Sequence, residues 1–197
     1  MTTQVAEESC GLINRALGDF RYWLAYDEAT SSRLPQGRLG DRRQSTTTWR
    51  AQSVVMTMVS IAEEFTMSRL YLAAEAVLPL DNPPVTWLWD THFEGIREWG
   101  SRHRTWRGTR SVYIERDFPD WTVLDAFVQV RNVVAHNLGR LSRKQLRNLA
   151  ARADFDRHLS VVGITVAENR LVLDRTHVER CAEVSRQYVL WLDAAAG

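Results

Sequence analysis

The sequence predicts an all-α fold: an up-and-down helical bundle with a small β-hairpin inserted before the C-terminal helix. Apolar residues recur at spacings of three and four over several long segments, which is the pattern of helices that bury one face. The five prolines fall between these segments or at their starts, and only one short stretch has the pattern of a strand pair. With 197 residues, of which 45% are hydrophobic, the chain is expected to form one domain over 1–197.

The N-terminal half of the chain predicts three helices. A first helix is expected over about 5–27, and a long helix over 49–78 is expected to be the centre of the core, because its apolar residues stay in register until prolines stop it. Between these helices, the glycine-rich and charged segment 35–43 predicts a loop, with 46–48 as a candidate helix cap. The third helix is expected over 85–100.

The C-terminal half contains the helix that carries the candidate site. A proline suits the first turn of a helix predicted over about 119–139, and Gly139 suits the left-handed position that ends it. Ser142 is a candidate cap for a short basic helix. Strand-like segments within about 160–174 predict the hairpin insert, and the terminal helix is expected over about 176–195.

Composition sets bounds on the class of protein. The net charge of +1 does not by itself indicate a nucleic-acid binder, so an RNA-binding surface would need local clustering of charge. Cys10 and Cys181 are too few for a disulfide framework or a four-thiolate zinc site. There is no charged and apolar leader and no apolar run long enough to span a bilayer, so we expect a cytoplasmic protein without a membrane partner.

The segment 131–136, which reads RNVVAH, places an arginine and a histidine about one helical turn apart in apolar surroundings. A histidine can take a proton from a ribose 2′-hydroxyl or return one to a leaving oxygen, and an arginine can stabilise charge on a phosphate. The spacing alone is weak evidence, because four Arg–His pairs in the chain have it. Only the pair at Arg131 and His136 is predicted to lie within an uninterrupted helix.

The placement of these residues on a helical wheel carries more information than their spacing. Arg131 lies in the middle of the apolar stripe, where a charge is costly unless it is paired or faces a cleft or a subunit interface. Asn132 and His136 share a polar stripe with Asp125 and Gln129. Arg131 and His136 point about 140° apart on an ideal helix. A joint site therefore needs a bend in the helix, an arginine that curls round, or two copies of the helix meeting in a symmetric dimer.

At these residues the chain resembles the HEPN superfamily, whose ribonuclease members carry an arginine, usually a polar residue after it, and a histidine four to six positions later on a late helix. Arg131, Asn132 and His136 match this form. The resemblance implies a homodimeric helical bundle that cuts RNA without metal or other cofactor and leaves a cyclic phosphate. Arg131 would stabilise the phosphate, His136 would transfer protons and Asn132 would assist. A toxin with an antitoxin partner, or an effector of phage defence with partner proteins, is also implied.

Several other residues are candidates for supporting roles. Glu63 and Glu64, on the predicted central helix, are candidate partners for Arg131 or supporting acids. A cluster of basic and aromatic residues has the mix that single-stranded RNA uses for phosphate contact and base stacking, and basic residues after the motif helix extend it. These RNA-binding candidates are Arg102, Arg104, Trp106, Arg107, Arg110, Arg143 and Lys144. The alternative for the cluster is a solvated loop with a buried tryptophan. The histidines show no metal-ligand spacing, so no metal is expected.

Three functions remain open at this point. The first is a metal-independent endoribonuclease of the HEPN type, acting as a toxin or an anti-phage effector. The second is a non-catalytic HEPN-like module that binds a protein or a nucleotide within a larger defence or regulatory assembly, and it predicts no RNA cleavage and Arg131 in a buried salt bridge. The third is an RNA-binding module without catalysis, which would give a gel shift without cleavage.

Overall fold

The computed structural model describes residues 2–31, 39–76, 78, 82–95 and 99–197. Within these residues the chain forms helices and one two-stranded antiparallel sheet, so the predicted all-α bundle with a small hairpin before the last helix is confirmed. The elements are α1 Gln4–Ser31, α2 Leu39–Glu75, α3 Pro83–Gly95, α4 Trp99–Arg110, α5 Ile114–Asp117, α6 Trp121–Asn137, α7 Arg143–Arg147, α8 Leu149–Val162, β1 Thr165–Ala167, β2 Arg170–Val172 and α9 Arg175–Ala196.

Helix α2 lies at the centre of the bundle, as predicted, and packs against α1, α6 and α9. Its buried apolar residues recur at helical spacing and include Val55, Met58, Ala62 and Phe65, each almost fully buried. Because α6 packs directly on α2, side chains of α2 lie beside the candidate motif. The central helix therefore supplies one wall of the site.

The start of α2 differs from the prediction. The expected loop over 35–43 lies partly outside the described residues, but the described part is helical from Leu39, so the predicted start at Trp49 was wrong. Gly40 is the one glycine in this extension and costs a helix only about 1 kcal/mol, and no proline follows it until α2 has ended. The hydroxyl of Thr48, predicted to cap the helix, instead donates to the backbone carbonyl of Leu173 at 3.2 Å.

The third predicted helix is two helices. The segment predicted as one helix over 85–100 is divided between α3 and α4, and the residues between them lie outside the described part of the chain. Of the three prolines expected to stop α2, Pro83 and Pro84 occupy the first turn of α3, where a missing backbone N–H has no cost, and Pro79 lies outside the described residues. Helix α4 continues through the basic stretch to Arg110, and this stretch is therefore not a loop.

The motif helix, α6, begins at Trp121, two residues after the predicted start, and ends at Asn137. Gly139 has a left-handed backbone conformation with a φ of 76°, which confirms the prediction. Its neighbour Leu138 is also left-handed, with a φ of 52°. The Gly139 N–H donates to the Val133 carbonyl at 3.3 Å, which closes the last turn of the helix.

A substitution of Gly139 with alanine is expected to destabilise the fold by about 1–3 kcal/mol. Its φ is unfavourable for a side chain, and an added Cβ would lie 2.5 Å from Oε1 of Gln52. Gln52 is buried and donates to the Leu171 carbonyl at 2.8 Å, so moving it breaks that hydrogen bond. Thermal and urea unfolding measure the loss. Gly163→Ala is the matched control, because Gly163 has the same φ and an added Cβ would meet nothing within 4 Å. Equal losses in the two variants would contradict the role of Gln52.

The segment after α6 forms two helices and a shorter hairpin than predicted. Ser142 caps α7 through a capping box with Gln145, as expected. Helix α8 extends to Val162, so the start of the predicted hairpin at 160 was wrong and the observed hairpin covers 165–172. The two turn residues between β1 and β2 have positive φ, as two-residue hairpin turns require. The hairpin lies against the end of α6, since the Leu171 N–H donates to the Gly139 carbonyl at 2.9 Å.

Helix α9 spans 175–196 and closes the bundle. Its N-terminus is capped by Asp174, whose side chain accepts from the backbone N–H groups of Thr176 and His177. At its other end Asp193 forms a buried ion pair with Arg69 of α2 at 3.0 Å and accepts from the Thr3 backbone N–H at 2.8 Å. These contacts attach both ends of the chain to the core. No helix in the described residues combines the length and the apolar content that a bilayer crossing requires.

A buried histidine lies in an aromatic cluster between α4 and α6. His103 is only 6% exposed, and its ring makes edge contacts with Trp99 and Trp121. Nδ1 of His103 donates to Glu115 Oε1 at 3.0 Å. Burial lowers the pKa of His103 below its ordinary value of 6.5, and the hydrogen bond to Glu115 opposes this only in part. The folded protein therefore favours the neutral imidazole.

The stability of the fold is expected to fall as the pH drops below about 6.5. In that range the unfolded chain binds a proton at His103 more readily than the folded chain does. The contribution of His103 to the free energy of unfolding is therefore complete above the ordinary pKa of the imidazole. It is lost as the pH falls through the lower pKa of the folded state. Unfolding free energies measured between pH 5 and 7 for wild type and His103→Gln test this. The difference between the two proteins should change with pH, and parallel curves would contradict it.

Candidate functional site

The arginine of the motif is paired with an acid of the central helix. Arg131 Nη2 lies 2.6 Å from Glu63 Oε2, and Arg131 Nη1 donates to Asn132 Oδ1 at 3.1 Å. The side chains of Arg131 and Glu63 are 25% and 10% exposed. The ion pair accounts for a charge within the apolar stripe, because a carboxylate offsets the cost of burying the guanidinium. Of the two acids considered from the sequence, Glu63 is the partner of Arg131, and Glu64 is exposed.

Arg131 and His136 border the same groove although they point apart on an ideal helix. The groove lies between α2 and α6 and has a volume of about 600 Å³. We call it the α2–α6 groove, and its lining residues are Met56, Thr57, Ser60, Ile61, Glu64, Arg131, Ala135 and His136. His136 is exposed on the last turn of α6, and a quarter of the Arg131 side chain reaches solvent. A single chain therefore presents both motif residues to one opening.

His136 also borders a second cavity, on the other side of α6. This cavity has a volume of about 320 Å³, and we call it the α6–α8 pocket. Its lining residues are Gln129, Asn132, Val133, His136, Asn137, Ser142, Lys144, Gln145, Ala151, Asp154, Phe155 and His158. The polar stripe predicted on the motif helix faces this pocket through Gln129, Asn132 and His136. Lys144, predicted as an RNA contact, also lines it, whereas Arg143 does not.

The pocket contains a histidine that the sequence did not single out. His158 Nε2 lies 3.4 Å from Asp125 Oδ2, and the Asp125 Oδ1 atom accepts from Gln129 Nε2 at 3.3 Å. Arg152 and His158 are another of the four Arg–His pairs, and both lie on α8, so the prediction that only Arg131 and His136 share an uninterrupted helix was wrong. Arg152 is engaged by Asp156 at 2.8 Å, so the histidine is the member of that pair which faces the pocket. The apolar spacing of Phe155, Leu159 and Val162 was the available sign of this helix.

The basic cluster of α4 does not form the predicted stacking surface. Trp106 is fully buried, and its indole N–H donates to the Thr66 carbonyl at 3.3 Å, so it cannot stack on an RNA base. Arg104, Arg107 and Arg110 are exposed. Arg110 donates to the Ala73 carbonyl at 2.8 Å, and none of the three lines the groove or the pocket. The open alternative of a buried tryptophan was correct for Trp106, although the segment is a helix and not a loop.

Arg102 differs from the other arginines of α4 because its charge interacts with the charges of Arg131 and Glu63. Burial lowers the pKa of Arg102, attraction from Glu63 opposes this shift and repulsion from Arg131 adds to it. Two guanidinium groups and the acids of α2 therefore share one electrostatic environment beside α6. Arg102 lines neither the α2–α6 groove nor the α6–α8 pocket.

The described residues contain no group of three or more His, Cys, Asp and Glu side chains placed to hold a metal ion. Burial raises the pKa of Cys181 to about 12, so this thiol stays protonated at neutral pH. Fold and site together define a helical-bundle protein with an exposed histidine between a groove and a polar pocket. Comparisons with models of protein families, with curated proteins and with solved structures found no match for this chain.

Proposed function

We propose that this protein is a metal-independent endoribonuclease of the HEPN type, acting on cytoplasmic RNA. The observation that carries the proposal is that Arg131 and His136 border one groove of a single chain, with His136 exposed. In this proposal His136 transfers a proton during attack of a ribose 2′-hydroxyl on the adjacent phosphorus. Arg131 stabilises the charge that builds on the phosphate oxygens, and Asn132 holds the guanidinium through its side-chain carbonyl.

The proposed biological role follows from the resemblance of the motif. We propose that the protein is a toxin or an anti-phage effector, with an antitoxin or another protein of the same system as its partner. We also propose a homodimer that places two α2–α6 grooves together. The apolar part of the groove lining, which includes Met56, Ile61 and Ala135, supports such a contact.

A second candidate function is favoured by the ion pair between Arg131 and Glu63. A guanidinium held at 2.6 Å by a carboxylate has less charge available for a phosphate. A non-catalytic module for protein or nucleotide binding predicts that Arg131 has such a structural role, as one member of a salt bridge. The exposed quarter of Arg131 and the exposure of His136 favour the ribonuclease instead.

An RNA-cleavage assay in the presence of EDTA separates the two candidates. The purified protein is incubated with total RNA and with unstructured oligonucleotides, with and without the chelator. The ribonuclease cuts RNA equally in both conditions, because its proton transfers need no metal. A folded protein that leaves every RNA intact would support the non-catalytic module, and cleavage that EDTA abolishes would contradict the metal-independent mechanism.

A further inference from the structure

The α6–α8 pocket brings together two imidazoles from different helices. His136 comes from the last turn of α6 and His158 from α8, and both line the same cavity of about 320 Å³. Lys144 of α7 adds a cation at this cavity, and Asn132 adds an amide. Two imidazoles, a cation and an amide fit a phosphate with a neighbouring ribose better than they fit an apolar ligand.

An acid lies beside the second imidazole. Asp125 of α6 lies 3.4 Å from His158 Nε2, and Gln129 donates to the other oxygen of the same carboxylate. A carboxylate beside an imidazole favours one orientation of the ring for proton transfer. Because Nε2 faces Asp125, Nδ1 is the nitrogen left to exchange a proton with a bound molecule. Asp154, the acid that lines the pocket, is paired with Arg157 at 2.7 Å.

We infer that His136 and His158 are the two proton-transfer groups of one RNA-cleaving site contained in a single chain, an inference that rests on the proposed ribonuclease function. His158 accepts the proton of the 2′-hydroxyl while the bond between O2′ and phosphorus forms. The bond between phosphorus and O5′ breaks, and His136 gives its proton to the departing O5′. The products are a 2′,3′-cyclic phosphate and a free 5′-hydroxyl, and exchange with water restores both histidines.

This assignment gives the charged groups at the pocket a role. Lys144 binds the phosphate from the α7 side, and Arg131 stabilises it from beside Asn132, which lines the pocket and accepts from the guanidinium at 3.1 Å. Asp125 is a positioning residue that acts through His158. A dimer is then not required to complete the pair of proton-transfer groups.

Chemical rescue tests the role of His158 directly. His158→Ala is expected to lower kcat by about 100-fold or more, and added imidazole should raise the rate of this variant in proportion to its concentration while leaving wild type unchanged. Asp125→Asn should lower kcat without raising KM. Asp156→Asn is the control, because it removes a charge from α8 at a carboxylate that pairs with Arg152 and does not line the pocket. Thermal unfolding verifies that each variant is folded, and His158→Gln is a second variant for the same test. Wild-type kcat in His158→Ala, or a loss that imidazole does not restore, would overturn the inference.

Mixing two inactive variants tests whether the site lies within one chain. A mixture of His136→Ala and His158→Ala, unfolded and refolded together, should remain inactive, because no chain then carries both imidazoles. Recovery of up to about a quarter of the wild-type activity would place the two groups on different chains and overturn the inference. If wild type cuts RNA and His136→Ala does not, but His158→Ala is fully active, this inference fails and the proposed function stands. If wild type cuts no RNA, both fail.

Discussion

Replacing His136 with alanine is expected to lower the rate of RNA cleavage by about 10²–10⁴-fold without lowering the thermal stability of the protein. His136 is exposed on the last turn of α6, so its removal leaves no cavity, and alanine is a good helix former. The loss should appear in kcat, because the imidazole acts on the proton transfers more than on binding. Rates with a fluorescent oligoribonucleotide in EDTA measure it.

Thr122→Ala is the matched control for this substitution. Thr122 is an exposed residue of the same helix, in its first turn, and it lines neither the groove nor the pocket. It should retain the wild-type rate. Wild-type rates in both variants would remove His136 from the mechanism, and equal losses in both would indicate damage to α6 as a whole.

Replacing Arg131 with alanine is expected to have two large effects. Cleavage should fall by about 10²-fold or more because the phosphate loses a charged donor. The free energy of unfolding should also fall by about 2–4 kcal/mol, because Glu63, only 10% exposed, is left without its partner. Denaturant unfolding measures the second effect separately from activity.

A double variant separates the catalytic from the structural role of Arg131. In Arg131→Gln with Glu63→Gln, neither member of the ion pair keeps its charge and the two amides can still form a hydrogen bond, so most of the stability should return. Activity should not return. A stable double variant that cuts RNA at the wild-type rate would show that Arg131 only holds α6 to α2, as the non-catalytic alternative requires.

Long helices with one apolar stripe could be predicted from the sequence. Helix α9 was predicted over 176–195 and spans 175–196, because Val178, Cys181, Val189 and Leu192 recur at helical spacing and are all buried. The start of α2 could not be predicted, because its first turns are polar and have no apolar periodicity. These turns are helical because they continue into the later part of α2, which packing stabilises.

Helices with few buried residues were missed or divided wrongly. Helix α4 buries only His103 and Trp106, so its sequence has little apolar periodicity and reads as a basic loop. The end of α8 was predicted as a strand because its β-branched residues Val161 and Val162 favour strands locally, whereas packing of α8 on α6 keeps them helical.

The candidate site could be predicted where its contacts lie on one helix. The shared polar stripe of Asn132 and His136 followed from the helical wheel, as did the need of Arg131 for a partner, a cleft or a subunit interface. The structure supplies Glu63 as a partner. The contact between Asp125 and His158 joins two helices, and no periodicity within one helix reveals it. The burial of Trp106 was one of the two alternatives open from the sequence, but its contact with Thr66 of α2 also joins two helices and could not be predicted.

The chemistry of the RNA ends tests the central claim most directly. An oligoribonucleotide is incubated in EDTA with wild type or with His136→Ala, and the fragments are analysed by mass spectrometry. The proposed mechanism predicts fragments with 2′,3′-cyclic phosphate and 5′-hydroxyl ends from wild type and intact RNA from the variant. Intact RNA with both proteins, the same fragments with both, or fragments with 5′-phosphate ends would contradict it.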